Sequence, residues 1–362
     1  MEHAAKKTNR WLDSIVDRYL IKGLGGMASG LFCTLIVGLI LKQVGSFLPD
    51  MVIGKFLINL GQVASVLTGI GIAIGTAHSL GASKLVLYSS AINGIIGAYA
   101  VQLSTGELIV EGNIILSGPG DPLTAFIAAV IGLEIGMLVS GKTKLDILIT
   151  PAMTIFAGSL VGVILGPYFT NFTVILGETI RYATELQPFF MGIVISVLMG
   201  VFLTLPISSA AIAIILGLSG IAAGAATAGC AAQMVGFAVM SYKENKINGL
   251  LAQGLGTSML QMPNIVRNPK VWIPPIVASA ITGPIATMVF RMKNIPAGAG
   301  MGTSGLVGPL LTWQTMSGEI DGVILLLQIA LIHFILPAVI TLGVAKWMRN
   351  KGWIKDGDLK LE

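Results

Sequence analysis

Apolar runs separated by short polar breaks repeat along almost the whole chain. Weakly charged stretches cover residues 24–41, 56–77, 85–103, 123–139 and 147–165, then 189–205, 207–223, 225–240, 271–290 and 323–345. Each is close to the roughly 17–25 residues that carry a helix across the hydrocarbon core, so the pattern predicts about ten transmembrane helices. The intervening loops are mostly short, and no polar stretch is long enough to fold as a soluble domain. The expected fold class is therefore an all-α polytopic membrane protein. A composition of 54% hydrophobic and 11% charged residues over 362 positions points the same way and excludes an ordinary soluble domain.

The first 22 residues mix acidic and basic side chains and lack an apolar core followed by a small-residue cleavage site, so they are not read as a secretory signal. Trp11, Leu12, Ile15, Val16, Tyr19 and Leu20 recur at helical spacing, with Asp13, Asp17 and Arg18 on other faces. This predicts an amphipathic helix over 1–23 lying on the membrane surface, the alternative being an ordinary packing helix. A transmembrane domain over 24–345 and a basic tail over 346–362 follow. Lys6, Lys7, Arg10, Arg18 and Lys22 precede the first run, and Lys346, Arg349, Lys351, Lys355 and Lys360 follow the last. The positive-inside rule then puts both termini in the cytoplasm and makes the number of crossings even. The net charge of +5 suits anionic lipid headgroups and requires no nucleic acid.

Three segments do not read as plain spans. Residues 104–121 carry Glu107, Glu111 and Asn113 and end in Pro119-Gly120-Asp121-Pro122. Residues 249–270 contain Met262-Pro263-Asn264-Ile265-Val266-Arg267-Asn268-Pro269. Residues 295–312 are dominated by Gly298, Gly300, Gly302, Gly305 and Gly308. Proline stops helix continuation, and non-helical backbone at membrane depth is tolerated only inside protein or around a water-filled cavity. The three are therefore read as re-entrant hairpins or broken helices around a common site. Two weak internal similarities, 79–83 leading into 92–95 against 204–208 leading into 218–221, and Ile149-Thr150-Pro151 against Ile273-Pro274-Pro275, fit a repeat of the kind many transporters contain.

Candidate site residues follow from these segments. Glu134 sits about a dozen residues into an apolar run, where an isolated carboxylate costs at least ~2.5–3.5 kcal/mol and needs a partner. It is either a hydrogen-bond or proton-carrying group or a paired glutamate that holds helices together. Asn113 stands within the first of these segments and Asp121 at its end, and Asn264 and Arg267 stand in the second. Thr303 and Ser304 lie within the glycine-rich third. His78, at the end of a run, either contacts a substrate hydroxyl, relays a proton or is an interfacial histidine. His333 is read as packing or as a helix–helix hydrogen bond. Cys33 and Cys230 are read as two buried thiols, and His3, His78 and His333 are too scattered for a metal site, so neither metal nor cofactor is expected.

Two letter-perfect motifs carry little. Gly136-Met137-Leu138-Val139-Ser140-Gly141-Lys142-Thr143 matches a phosphate loop, but a transmembrane helix leads in where a strand is needed, so Lys142 and Lys144 are read as basic anchors. Gly300-Met301-Gly302-Thr303-Ser304-Gly305 matches a dinucleotide fingerprint with no βαβ unit around it. Its glycines let backbones approach a ligand or each other.

The stretches 118–122, Thr204-Leu205-Pro206-Ile207-Ser208-Ser209, 225–237, 253–264 and 298–305 together resemble the membrane-embedded type 2 enzyme IIC family of the phosphotransferase system, which includes the perfringolysin O regulator of clostridia. The likeness runs over nearly the whole chain beyond the N-terminal helix. It implies a multi-pass protein of the bacterial inner membrane, a homodimer, whose substrate domain of re-entrant hairpins and broken helices carries sugar by an elevator-like motion. In the wider superfamily a glutamate beside a proline, with a histidine, holds the sugar, and Asp121 beside Pro122 is the local analogue here. Phosphohistidine and phosphocysteine domains are missing from this chain, so phosphorylation falls to separate IIA and IIB proteins or does not occur.

The leading expectation is thus a IIC-type permease for a small polyhydroxylated solute, probed through Asp121, Asn113, Glu134, Asn264 and Arg267. The alternatives are a membrane sensor or regulator without net transport and a proton-coupled carrier using Glu134 or His78.

Overall fold

The structure, a computed structural model, describes residues 15–361. The greater part of the expected surface helix over 1–23 lies outside the described residues. Its last residues, from Val16, run without interruption into a 31-residue apolar helix, Val16–Ser46.

Six helices among the described residues are long and apolar enough to cross a bilayer: Val16–Ser46, Pro122–Val139, Asp146–Thr184, Gly220–Met240, Pro269–Val289 and Gly322–Asn350. Val52–Val66 and Thr68–Ser79, bent by 55°, make a seventh if taken as one span. Several of the ten apolar runs are thus interrupted. The run 85–103 becomes the 15-residue helix Lys84–Ala98, which stops at Tyr99 before the short helix Ala100–Thr105. The run 207–223 is divided into the helix Ser209–Ile215 and the start of Gly220–Met240, because Gly217 and Gly220 both take left-handed backbone, at φ +58° and +64°. Hydropathy averages over such breaks, so it registers an apolar run and not its continuity.

The stretch 24–345, read as one membrane domain, contributes to two compact units. Residues up to 38 and 62–170 make the first. Its helices approach at backbone distance. A Cβ on Gly30 would lie 1.9 Å from the Gly71 carbonyl oxygen, and one on Gly26 would lie 2.4 Å from that of Gly75. Gly26-x-x-x-Gly30 thus meets Gly71-x-x-x-Gly75 in antiparallel sense, the small-residue contact that membranes favour because lipid gives helices no hydrophobic reason to associate. Ala77, Leu80, Val86 and Leu133 form an apolar cluster near one end of this unit. A two-stranded hairpin pairs Ile109 with Ile114 and Val110 with Asn113. Its turn residues Glu111 and Gly112 both have positive φ, +51° and +79°, as a tight two-residue hairpin turn demands.

Residues 39–61 and 171–362 make the second unit. Its centre is Gly220–Met240, buried without a break from Ala223 to Ala238. Small side chains permit this: a Cβ on Gly229 would lie 1.9 Å from the Ser196 carbonyl oxygen of helix Pro188–Thr204, and one on Gly224 the same distance from that of Met292. Met191, Ile195, Met199 and Phe202 fill the remaining space beside Cys230.

Of the two cysteines, Cys230 is buried as expected and Cys33 is exposed. An apolar run predicts that a residue avoids water, but a lipid-facing position satisfies that requirement as well as a buried one.

Candidate solute site

The eight candidate residues divide between the units. Asp121, Asn113, Glu134 and His78 belong to the first, and Asn264, Arg267, Thr303 and Ser304 to the second.

Asp121 is the N-cap of helix Pro122–Val139. Its Oδ1 accepts the Leu123 N–H at 3.0 Å and its Oδ2 accepts the Thr124 hydroxyl at 2.5 Å. The loop before it rests on the break between Ala98 and Ala100: the Asp121 N–H donates to the Ala98 carbonyl at 2.8 Å, and Gly120, at φ +73°, leaves no room for a Cβ against Ala98. The buried Tyr99 at that break sends its hydroxyl between the Gly118 carbonyl, at 2.5 Å, and the Val66 carbonyl, at 2.8 Å. Val66 is where the bent pair of helices divides. One phenol therefore joins three interruptions of the backbone, each of which frees carbonyl groups that a continuous helix would have used.

Glu134 takes the paired reading. Arg18 donates to its Oε1 through Nε at 3.0 Å and Nη2 at 2.7 Å. Glu134 lies five residues before the end of its helix, about 7.5 Å along the axis, the same place that the apolar run 123–139 gave it. Thirteen residues, roughly 20 Å of rise, separate it from Asp121, and those two are not brought together. His78 is exposed near the end of Thr68–Ser79, close in sequence to Ser83, whose hydroxyl meets that of Ser140 at 2.9 Å. It therefore lies toward the Glu134 end of the unit. Asn113 is exposed in the hairpin.

In the second unit the glycine-rich segment is a broken helix, as expected. Helix Pro296–Ala299 stops, Gly302, Gly305 and Leu306 all take left-handed backbone at φ +52°, +51° and +60°, and Val307–Met316 begins. For Leu306 this conformation is strained, and such strain clusters at ligand clamps and switches. The break presses on its surroundings: Ser209 donates its hydroxyl to the Gly300 carbonyl at 2.7 Å, and a Cβ on Gly302 would lie 2.7 Å from the carbonyl carbon of Cys230. Thr303 is buried and donates to the Gly254 carbonyl at 2.5 Å, which links the third broken segment to the second. Ser304 is 2% exposed, and its hydroxyl has no partner among the described residues. An unpartnered buried hydroxyl calls for a ligand or water, but those of Thr76 and Thr341 share that state inside continuous helices, and what sets Ser304 apart is its place in a helix break.

Asn264 and Arg267 are brought together, with Arg267 Nη1 3.5 Å from the Asn264 Oδ1. Asn264 is 4% exposed, and its two N–H groups go to Gln261 Oε1 at 2.8 Å and to the Lys360 carbonyl at 2.9 Å. It is one member of a buried chain of amides: Gln261 donates to Gln253 Oε1 at 2.8 Å, and Gln253 donates to the Ser241 hydroxyl at 2.8 Å.

Sequence reading passed over several buried polar residues that organise these breaks. Asn294, fully buried, donates to Thr227 at 2.9 Å, to Thr312 at 3.0 Å and to the Gly308 carbonyl, and so ties the glycine-rich break to the central helix. Gln233 accepts the Trp272 indole N–H at 2.9 Å and donates to Ser279 at 3.3 Å. Asn93 donates to the Thr154 carbonyl at 2.9 Å. Asn93 and Gln233 shared a signal, an uncharged amide inside an apolar run, where an unsatisfied group is costly, and Asn294, just after the run 271–290, had none.

A comparison with curated proteins gives no match. A sequence model described as phosphotransferase system, EIIC, matches residues 21–361, which takes in both units and all three broken segments. The chain, a membrane protein by its apolar helices and a component of a phosphotransferase permease by this match, belongs to the phosphotransferase system EIIC family.

Proposed function

We propose that this chain is a IIC-type permease of the bacterial inner membrane that binds a small polyhydroxylated solute, most simply a sugar, and moves it across. The observation that carries the reading is the unpartnered, buried hydroxyl of Ser304 inside a strained break of a helix, joined through Thr303 to the amide-rich break at 252–268. Sugars present hydroxyls that both donate and accept, and serine, threonine and amide side chains do the same. Leaving one such group unpaired in a dry site costs about 1–3 kcal/mol, which gives these residues both affinity and discrimination.

In this reading Ser304, Thr303 and Asn264 contact the solute, and Arg267 adds a charged donor beside Asn264. Within the first unit Asp121, Asn113 and His78 are taken as further polar contacts for the solute, while Glu134 is held by Arg18 as a paired glutamate. The shorter helices Lys84–Ala98 and Pro188–Thr204, with the broken segments, supply the further crossings of the ten expected. Both termini are cytoplasmic, the active form is a homodimer, and separate IIA and IIB proteins deliver any phosphoryl group.

The test is uptake of radiolabelled sugars and sugar alcohols into proteoliposomes holding the purified chain, with and without phosphoenolpyruvate and the soluble phosphotransferase proteins. Saturable uptake that Ser304→Ala weakens supports the reading. Saturable binding with no flux under either condition would instead favour a membrane sensor.

A further inference from the structure

The segment over residues 353–361 does not hang free from the last helix. It is drawn across the amide-rich break, buries Ile354 and Leu359, and leaves Lys360 exposed. Asn245 reads it as a β-strand neighbour would, donating to the Leu359 carbonyl at 2.7 Å and accepting the Leu361 N–H at 2.8 Å. Gln261 donates to the same Leu359 carbonyl at 3.0 Å and Asn264 to that of Lys360 at 2.9 Å. Asn268 holds the near end through the Trp353 carbonyl at 3.0 Å and the Asp358 carboxylate at 2.8 Å. A cluster of charges fastens the middle, with Asp356 between Lys243 at 2.6 Å and Arg349 at 3.0 Å, and Arg349 also on Glu244 at 2.9 Å.

The donor count decides what this contact is. An amide side chain has two N–H donors. Those of Gln261 go to Gln253 and to the Leu359 carbonyl, and those of Asn264 go to Gln261 and to the Lys360 carbonyl. Both residues are buried, so when the segment leaves, each retains one donor that needs an oxygen from elsewhere. The main-chain oxygens of Leu359 and Lys360 therefore stand where oxygens of a bound molecule would stand. We propose that residues 353–361 are a displaceable strap, a tethered pseudo-ligand whose carbonyls compete with the hydroxyl oxygens of solute for Gln261 and Asn264 and keep the site closed until it peels away.

The inference rests on the reading of Asn264 as a solute contact, and its test separates the two. Equilibrium binding of radiolabelled glucose, sorbitol and xylitol is measured on the full chain, on a variant lacking residues 353–362, and on each with Asn264→Ala. A spin label on Lys360→Cys, in a chain with Cys33→Ser, reports the strap directly. The expected result is at least tenfold tighter binding without the strap, loss of that binding on Asn264→Ala, and a label that becomes mobile in the full chain at saturating probe. Asn245→Ala, which loosens the strap without touching Gln261 or Asn264, should give an intermediate gain in affinity and guards against a deletion that fails to fold. Unchanged affinity on deletion and in Asn245→Ala, with an immobile label and binding still lost on Asn264→Ala, overturns the strap and leaves the solute site standing. Binding that ignores Asn264→Ala, or no binding of any probe to a folded strapless chain, overturns both.

Discussion

The Tyr99 hydroxyl lies 2.5 Å from the Gly118 carbonyl oxygen and 2.8 Å from that of Val66. A phenol has one proton to donate, so the two carbonyls share it. The contact fixes the loop that ends in Asp121 against both the bend at Val66 and the break in Tyr99's own helix. Tyr99→Phe keeps the ring and removes the tie, and it should destabilise the protein by about 1–2 kcal/mol, read as a lower thermal unfolding midpoint in detergent. An unchanged midpoint would mean that the loop is held by the Asp121 cap and its backbone contact with Ala98.

Backbone contact between glycines makes a second prediction. Gly30→Ala places a methyl 1.9 Å from the Gly71 carbonyl oxygen, and the two helices must part. Overpacking of this kind costs about 1–3 kcal/mol. Gly343→Ala, with nothing within 4 Å of its Cβ, is the matched control and should leave stability unchanged or raise it slightly. Equal effects at the two positions would contradict the packing described.

The Arg18–Glu134 pair is only partly shielded, with side chains 41% and 32% exposed. A double-mutant cycle through Arg18→Ala and Glu134→Gln should therefore give a coupling of about 0.2–1 kcal/mol in detergent unfolding. Glu134→Gln should also leave uptake largely intact if pairing is its main role. Abolished uptake with unchanged stability would return Glu134 to the transport path.

Asp356 gives the strap a pH dependence. Lys243 first, and then Arg349, hold its carboxyl below the ordinary value of 3.8, while Glu244 faces Arg349 from the other side. A carboxyl depressed in the attached state favours attachment above its ordinary value, and that contribution disappears as pH falls through the depressed one. A label on Lys360 should thus keep constant mobility from about pH 8 to about pH 5 and loosen only below about pH 4. Loosening between about pH 7 and about pH 5 would place the controlling group elsewhere.

The apolar pattern was enough to read the protein as helical and membrane-embedded, and the prolines and glycines around Asn264 and Thr303 marked two broken helices, whereas the segment before Asp121 is a largely exposed loop with a β-hairpin. Continuity was not legible. Nothing in the run 85–103 announces that Tyr99 ends one helix and ties the end of another to a loop, because that depends on contacts with Val66 and Gly118. Charge drew attention to Glu134, yet its partner Arg18 lies 116 residues away in sequence, and no local pattern encodes such a pairing. Amides drew too little attention. Asn93 and Gln233 in apolar runs, and Asn294 just after one, are unremarkable letters and become organising residues only when helices bring partners to them. The basic residues near the end suggested a lipid-facing tail, and the asparagines and glutamine that grip it sit about a hundred residues earlier.

The central claim is that the broken helices of the second unit hold a polyhydroxylated solute. Equilibrium binding of radiolabelled sugars and sugar alcohols to the purified chain, compared between wild type and Ser304→Ala, addresses it most directly. The account predicts saturable binding of at least one probe that falls about tenfold or more when the Ser304 hydroxyl is removed, with thermal stability unchanged or improved. Binding that is indifferent to Ser304→Ala would contradict it.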